Sequence, residues 1–405
     1  MKIAKIEVIT LRYEYPTGQE FQFAGGYCNG RLSCLVLVHT DAGVTGLGSV
    51  YSHPGLVTAI IEDHLQPVLL GQDPLQVEQL WDCCYRLTRW YGRKGVALSA
   101  LGGVDTALWD IRGKAAGKSV SELLGGERRQ VPAYASALLW RDDPEELGLE
   151  ASRHLAGGYR AMKMRLGRSY EYDRAAVRIV REVIGPDNRL MIEGNARYNL
   201  SQAERIAAEY RAAGVYWLEE PFPPEDLDSY LALRPNLGLP LAAGENEFGL
   251  QGFRELVNRA VVDILQPDCS RAGGITECRR IGLLAEENGL QVATHTWSDA
   301  VALVANLHLI ASLPTGMTVE IDRTGNPFID ELLVTPVRVV DGKIAVPQGP
   351  GLGIELNRVA LERFRLPKGA VVPNGNYSDM VFGRDYFTPA APYDPDEVAA
   401  PCLAK

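Results

Sequence analysis

Leu190-Met-Ile-Glu193, Val215-Tyr-Trp-Leu-Glu219 and Leu239-Pro-Leu-Ala-Ala-Gly-Glu245 are three short apolar runs that each end in a glutamate. Apolar runs of this kind, separated by helical patterns of about 12–15 residues, read as buried parallel strands in βα units. Working outward, the same texture picks out Val131–Ser136 and Ala161–Arg165 before them. It also picks out Val262–Asp268, Leu290–His295 and Thr318–Asp322 after them. Eight consecutive βα units with no antiparallel interruption predict a (β/α)₈ barrel over residues 127–335.

The flanks read differently. Residues 1–126 open with alternating apolar and polar positions (Ile3, Ile6, Val8, Leu11), then strand-like Cys34–His39 and Thr45–Val50 around the turn Asp41-Ala-Gly43. Helical periodicity follows over Val57–Leu69, Leu75–Leu87 and Val96–Ala116, which makes an α+β unit that caps the barrel. Gly46-Leu-Gly48 lacks the third glycine of a dinucleotide fingerprint and falls in a hairpin, so it is read as structural. Residues 336–405 return to strand-like text with a hairpin signal at Asp341-Gly342, and are expected to complete the capping domain. After Gly375 the chain is rich in Pro, Tyr and Asp and reads as a surface-wrapping tail.

With 405 residues the chain suits two domains, and 46% apolar with 23% charged residues is ordinary for a soluble enzyme. A net charge of −10 argues against nucleic-acid binding, which needs a basic face. The seven cysteines (Cys28, Cys34, Cys83, Cys84, Cys269, Cys278, Cys402) are odd in number and form no C-x-x-C pair. That disfavours a disulfide framework or a thiolate zinc site. The opening MKIAKIEVITLRYEYP has no uninterrupted apolar core, and no run is long enough to span a membrane. The expectation is a cytoplasmic protein with no membrane partner.

The chemistry is carried by what ends each strand. Lys163 and Arg165 end the second, Glu193 the third, Glu219 the fourth and Glu245 the fifth. Asp268 ends the sixth, His295 the seventh, and Glu320 lies near the end of the eighth. From Glu193 to Glu320 the steps are 26, 26, 23, 27 and 25 residues, one βα unit each. All these side chains are thereby set at the C-terminal rim, where barrels of this kind place their sites. Three converging carboxylates cannot all stay ionised without a cation. An oxygen-only donor set suits Mg²⁺, with Mn²⁺ possible, and disfavours zinc. Such a metal, between a cationic strand and an Asp–His pair, could bind a substrate carboxylate and stabilise its enediolate form while a flanking base takes the α-proton. Taken singly each residue has a plainer reading. A strand-end glutamate is ordinarily solvated, Asp268 could cap a helix, and His295 could be a satisfied rim histidine. Glu320 and Asp322 could close a turn before Gly325-Asn-Pro327, Arg165 could simply pair with Glu193, and Trp109 reads as core.

At this point the chain resembles the enolase superfamily, in its mandelate racemase subgroup, over roughly residues 1–360. The likeness rests on Ala107-Leu-Trp-Asp-Ile-Arg-Gly-Lys-Ala-Ala-Gly117 with Leu123-Leu-Gly-Gly126, and on Gly158-Tyr-Arg-Ala-Met-Lys-Met-Arg165. It rests also on Trp217-Leu-Glu-Glu-Pro221, Ala243-Gly-Glu245, Gln266-Pro-Asp268 with Arg271-Ala-Gly-Gly274, and Thr294-His295. The resemblance implies Glu193, Glu219 and Glu245 as metal ligands, His295 oriented by Asp268 as acid/base, Lys163 on the substrate carboxylate and Glu320 on the enediolate. It implies that loops around Phe21–Arg31 and Tyr51–His53 close over the site. Tyr27, Arg31 and His53 are then candidates for substrate contact, with Asn195, Trp297 and Asp322 from the rim. It implies a homo-oligomer, dimer or octamer.

Two positions depart from that pattern. Glu193 stands where the family usually has aspartate, with Asn195 as a nearby partner, and Arg165 stands where it has a second lysine. Arginine is a poor base because it keeps its proton. With one strong base, His295, β-elimination is favoured over racemisation: dehydration of a sugar acid (aldonate or aldarate) to a 2-keto-3-deoxy acid. The alternatives are a racemase, epimerase or cycloisomerase acting on a carboxylate or lactone, and, in another class, an impaired barrel that only binds a ligand.

Overall fold

Four strands begin the chain: β1 (Ile3–Glu14), β2 (Phe21–Phe23), β3 (Gly26–Thr40) and β4 (Thr45–Val50). The computed structural model describes residues 1–23, 26–370, 376–377, 380–382 and 392–394, with backbone only at 26–27, 376–377 and 380–382. Most of the tail expected after Gly375 lies outside the described residues. β3 pairs antiparallel with β1 on one side and β4 on the other, the second pairing closing across the turn at Asp41–Gly43. The long helix Val96–Ala116 runs where its periodicity places it and ends on Gly117 in the left-handed region (φ 64°). It presses so close to β4 that a Cβ at Gly48 would lie 2.0 Å from the Gly103 carbonyl oxygen. The Gly46-x-Gly48 pair is thus a packing requirement.

The first domain is fastened to the barrel by buried hydrogen bonds. Trp109 Nε1 donates to Thr276 Oγ1 (2.9 Å), Asp105 accepts from the backbone N–H (2.9 Å) and hydroxyl (2.6 Å) of Thr276, and Trp81 Nε1 donates to the Gly273 carbonyl (2.6 Å). Gly274, at φ 90°, leaves room for Asp105, whose Oδ2 would stand 2.4 Å from any Cβ there. Asp110 accepts from the backbone N–H groups of Leu47 and Leu352, tying the long helix to β4 and to a distant loop. Trp109, read as core, therefore also carries a contact between the two domains.

The barrel strands are β5 (Gln130–Ser136), β6 (Ala161–Arg165), β7 (Arg189–Glu193), β8 (Leu218–Glu219), β9 (Leu241–Ala243), β10 (Ile264–Leu265), β11 (Gln291–Thr294) and β12 (Gly316–Asp322). They are parallel throughout, and β12 closes on β5 from Val319↔Ala133 to Asp322↔Ser136. Inside, Tyr134, Met191, Trp217, Ala242, Ile264 and Ala293 form one buried layer, with the Tyr134 ring edge-on to Trp217 at 5.7 Å. This layer is the floor of the rim site.

After the barrel, β13 (Val339–Val340) and β14 (Lys343–Ala345) form a hairpin through Asp341 and Gly342, both at positive φ as a tight two-residue turn requires. Contrary to the expectation for residues 336–405, this hairpin joins the barrel sheet. β14 pairs antiparallel with Gln130–Pro132, the part of β5 that extends below its parallel neighbours. Only from Gly351 does the chain rejoin the first domain, where its carbonyl accepts from Val120, and Leu366 later donates to Thr10. Among the described residues no helix is long and apolar enough to cross a membrane.

Candidate active site at the barrel mouth

The eight-strand ladder delivers the charged strand ends to one place. One carboxylate oxygen from each of Glu193, Glu219 and Glu245 lies within 4.8 Å of the others. Glu193 and Glu219 are fully buried and Glu245 is partly exposed. The donor set is three hard oxygens, and Glu245 Oε2 is buried without a hydrogen bond among the described residues, so the residues present fit a Mg²⁺-type ion.

Lys163 faces these carboxylates from β6. Its Nζ is 3.0 Å from Glu193 and 3.0 Å from Glu320 and contacts Glu219 as well. Burial opposes its charge, but these carboxylates hold the ammonium well above its ordinary pKa. Burial also raises Glu219, to about 7 even beside Lys163, and raises Glu245. At Glu193 burial is outweighed by Arg165 and Lys163, which hold it low. The site thus divides its carboxylates into two held ionised by cations, Glu193 and Glu320, and two that lack enough positive charge.

Across the mouth His295 Nδ1 is 2.9 Å from Asp268 Oδ2, and Nε2 points inward, 3.5 Å from Glu245 and 3.9 Å from Glu320. Burial pulls the imidazole down, but Glu245, Glu320 and Asp268 prevail and bring it to about 9. A cation on Glu245 would cancel the first of those charges and return His295 toward a base. Asp268 is itself fixed: its Oδ1 accepts from Ser270 N–H (2.8 Å), Ser270 Oγ (2.7 Å) and Asn306 Nδ2 (2.9 Å). Glu320 accepts from Thr296 N–H (2.8 Å), and Lys163 and His295 hold it down to about 2 despite burial.

The other candidates fall into two groups. Arg165 and Asn195 both touch Glu193, Arg165 Nε at 3.1 Å and Asn195 Nδ2 as a donor to Oε1. The Arg165 guanidinium lies over the Trp297 ring, 3.9 Å from its centroid, and 5.7 Å from that of Phe23. Trp297, buried at 2% exposure, joins Phe21, Phe23, Cys28 and Tyr51 in one apolar cluster, a wall beside the carboxylates through Arg165. Arg31 and Asp322 were expected to meet substrate, but they meet each other at 2.8 Å, fully buried. Asp322 also accepts from Thr324 and Asn326, and Arg31 donates to the Trp297 carbonyl. They brace the wall from behind. His53 precedes helix Pro54–Ala59, and its Nδ1 has no hydrogen-bond partner among the described residues. The backbone of Tyr27 pairs with Gln22 in the β2–β3 hairpin; its side chain lies outside the described residues.

Two residues, Asn306 and Glu220, were missed, and Tyr51 was named only as one end of a covering loop. Asn306 bonds Asp268, the His295 carbonyl (3.2 Å) and Thr296 Oγ1 (3.1 Å) from the helix Ala300–Ser312, apolar but for Asn306, His308 and Ser312; a lone amide in such a helix was the available signal. Tyr51 packs on His295 with ring centroids 5.4 Å apart. Glu220, next to Glu219, is buried at positive φ (34°), bonds Asn246 at 2.7 Å, and is brought to about 8 by burial and by Glu245.

Comparison with known proteins agrees with this geometry. Residues 5–125 match the mandelate racemase/muconate lactonizing enzyme N-terminal domain, and residues 146–360 match the enolase C-terminal domain-like family. The chain is 37% identical to D-galactarolactone cycloisomerase of Agrobacterium fabrum, over 91% of this chain and 100% of that protein. It is 32% identical to arabinonate dehydratase of Saccharolobus solfataricus, over 81% of this chain and 89% of that one. A racemase from Streptomyces coelicolor, solved with bound magnesium, superposes with a TM-score of 0.83 at 29% identity, covering 90% of this chain and 100% of that one. The chain is an enzyme, of the lyase or isomerase kind, and it belongs to the mandelate racemase/muconate lactonizing enzyme family of the enolase superfamily.

Proposed function

We propose that the enzyme removes the proton next to a carboxylate of a sugar acid and expels the β-hydroxyl, leaving a 2-keto-3-deoxy acid. The observation that carries this reading is the Asp268–His295 pair, the one such pair among the described residues at the barrel mouth, facing Lys163 across Glu193, Glu219 and Glu245. A Mg²⁺ held by those three carboxylates, or Mn²⁺ in its place, would draw the substrate carboxylate and lower the cost of the charge that builds on it. Lys163 supplies a fixed positive charge to the same carboxylate. His295 Nε2, aimed inward and oriented through Nδ1 by Asp268, takes the α-proton and can return it to the departing oxygen on the same face. Arg165 keeps its proton, so the opposite face has no second base of equal strength. Its guanidinium is placed to take a carboxylate or hydroxyl of the substrate. The wall of Phe21, Phe23 and Trp297 excludes water.

A second reading replaces the β-hydroxyl by a lactone oxygen, giving a cycloisomerase. The likeness to D-galactarolactone cycloisomerase, which spans that protein's full length, favours it. Both reactions share the α-proton step. A screen of aldonates, aldarates and their lactones with Mg²⁺, trapping 2-keto acids with semicarbazide, tests the proposal. Release of 2-keto acid from an open-chain acid supports dehydration, and turnover of lactones alone supports the second reading. Deuterium uptake from D₂O with no 2-keto acid from any of them would overturn both.

A further inference from the structure

Near its C-terminus the chain drives one aromatic residue into the barrel wall. Tyr393 is 2% exposed, edge-on to the Tyr198 ring at 5.3 Å, with its hydroxyl directed at Asp173. Next to it, Asp394 pairs with Arg205 (2.6 Å) and accepts from Gln202 (3.2 Å). The Arg205 guanidinium lies over Tyr170 at 4.3 Å and reaches the Tyr393 ring at 6.0 Å. Residues 393–394 thereby bridge the helices Tyr170–Ile184 and Leu200–Ala212, which follow β6 and β7.

What lies under this anchor matters to the site. Asp173 accepts from the backbone N–H of Gly167 (2.9 Å) and Arg168 (3.2 Å), just after Arg165, and from the Tyr198 hydroxyl (2.8 Å), on the loop after Glu193. Arg197 Nε donates back to the Gly167 carbonyl (3.2 Å). The second loop is strained. Asn195 and Ala196 are consecutive at φ 45° and 58°, a left-handed geometry that costs of order 1 kcal/mol or more for a residue with a Cβ and persists only where its surroundings enforce it.

We propose that Tyr393 and Asp394 are positioning residues for the metal site, pinning the exit loops of β6 and β7 in the conformation that presents Arg165, Glu193 and Asn195. The effect on the ion rests on Glu193 being a ligand, as read above. Hydrogen exchange and calorimetry with Mg²⁺ alone, on the full chain, test it. In Tyr393→Ala the amides of Gly167, Arg168 and 194–198 should exchange about tenfold faster or more, while the barrel-floor strands keep their protection. Mg²⁺ affinity should fall about tenfold. Charge reversals at the exposed end, Asp394→Arg and Arg205→Asp, should each do the same in part, and their combination should restore protection. Such rescue is not expected of a general loss of stability. Glu219→Gln is the control: it should weaken Mg²⁺ while those amides keep their protection. Unchanged Mg²⁺ affinity in Glu219→Gln would sink the metal reading, whereas unchanged exchange at those amides in Tyr393→Ala and in both reversals overturns the anchor itself.

Discussion

Arg165 Nε stands 3.1 Å from Glu193 Oε2, the oxygen that also lies 3.0 Å from Lys163. The two positions at which this chain departs from the pattern of its subgroup are thus halves of one ion pair. Stacked 3.9 Å over Trp297, the guanidinium is held in place, and the extra methylene of Glu193 lets its carboxylate reach the guanidinium. Arg165→Lys loses the stack, and Glu193→Asp loses the reach. Each should weaken Mg²⁺ binding, and the double variant should lose less than the sum by about 1 kcal/mol or more. Strictly additive losses by calorimetry would show that the two residues act separately.

His295→Asn should abolish turnover and leave thermal unfolding nearly unchanged. Asn306→Ala, which removes the amide bonded to the Asp268 carboxylate and to the His295 backbone carbonyl, should lower kcat roughly tenfold or more with little change in KM. A rise in KM at constant kcat would instead make Asn306 part of substrate binding.

Lys163 holds Glu193, Glu219 and Glu320 in a fully buried cluster. Lys163→Met leaves those charges uncompensated and should cost the metal-free protein about 3 kcal/mol. Excess Mg²⁺ should return part of that stability, since an ion bound only by the folded state stabilises it. Denaturant midpoints measured with EDTA and with Mg²⁺ check both halves; equal midpoints for variant and parent in EDTA would contradict the first.

Stability should also depend on His308. Burial holds it down to about 4, against the Leu352 carbonyl, which accepts from Nε2 (3.0 Å) and favours the charged ring, while Nδ1 accepts the Ser121 N–H (3.2 Å). Below an ordinary pKa of about 6.5 the unfolded chain takes up a proton that the folded chain refuses until about pH 4. The stabilisation is therefore complete above about pH 6.5 and declines as pH falls through that window, by up to about 3 kcal/mol. In His308→Gln the dependence of the urea midpoint on pH should be flatter between pH 7 and 4; an unchanged slope would show that other groups carry it.

Much of this was legible because parallel strands buried on both faces write themselves as apolar runs, and a charge at the end of such a run has only the rim to occupy. The strand limits were less so. β8 and β10 are only two residues long; β8 ends on Glu219 itself, and the chain turns away at once with Glu220 at positive φ, as it does after β9 with Gly244. Asn306 was hidden because its partners are about 10–40 positions away. Arg31 and Asp322 misled for a related reason: charge marks a side chain as consequential without saying whether its partner is substrate or protein. The hairpin at 339–345 could not be assigned to a sheet from its own residues, because what recruits it is the unpaired lower end of β5.

The buried layer of Tyr134, Met191, Trp217, Ala242, Ile264 and Ala293 fills the barrel below the candidate site, and among the described residues Phe21, Phe23 and Trp297 cluster together beside it. On the proposed reading, an aromatic porch at that place would shape the passage of substrate and product, so that changes to Phe21 or Phe23 should register in KM and in product release.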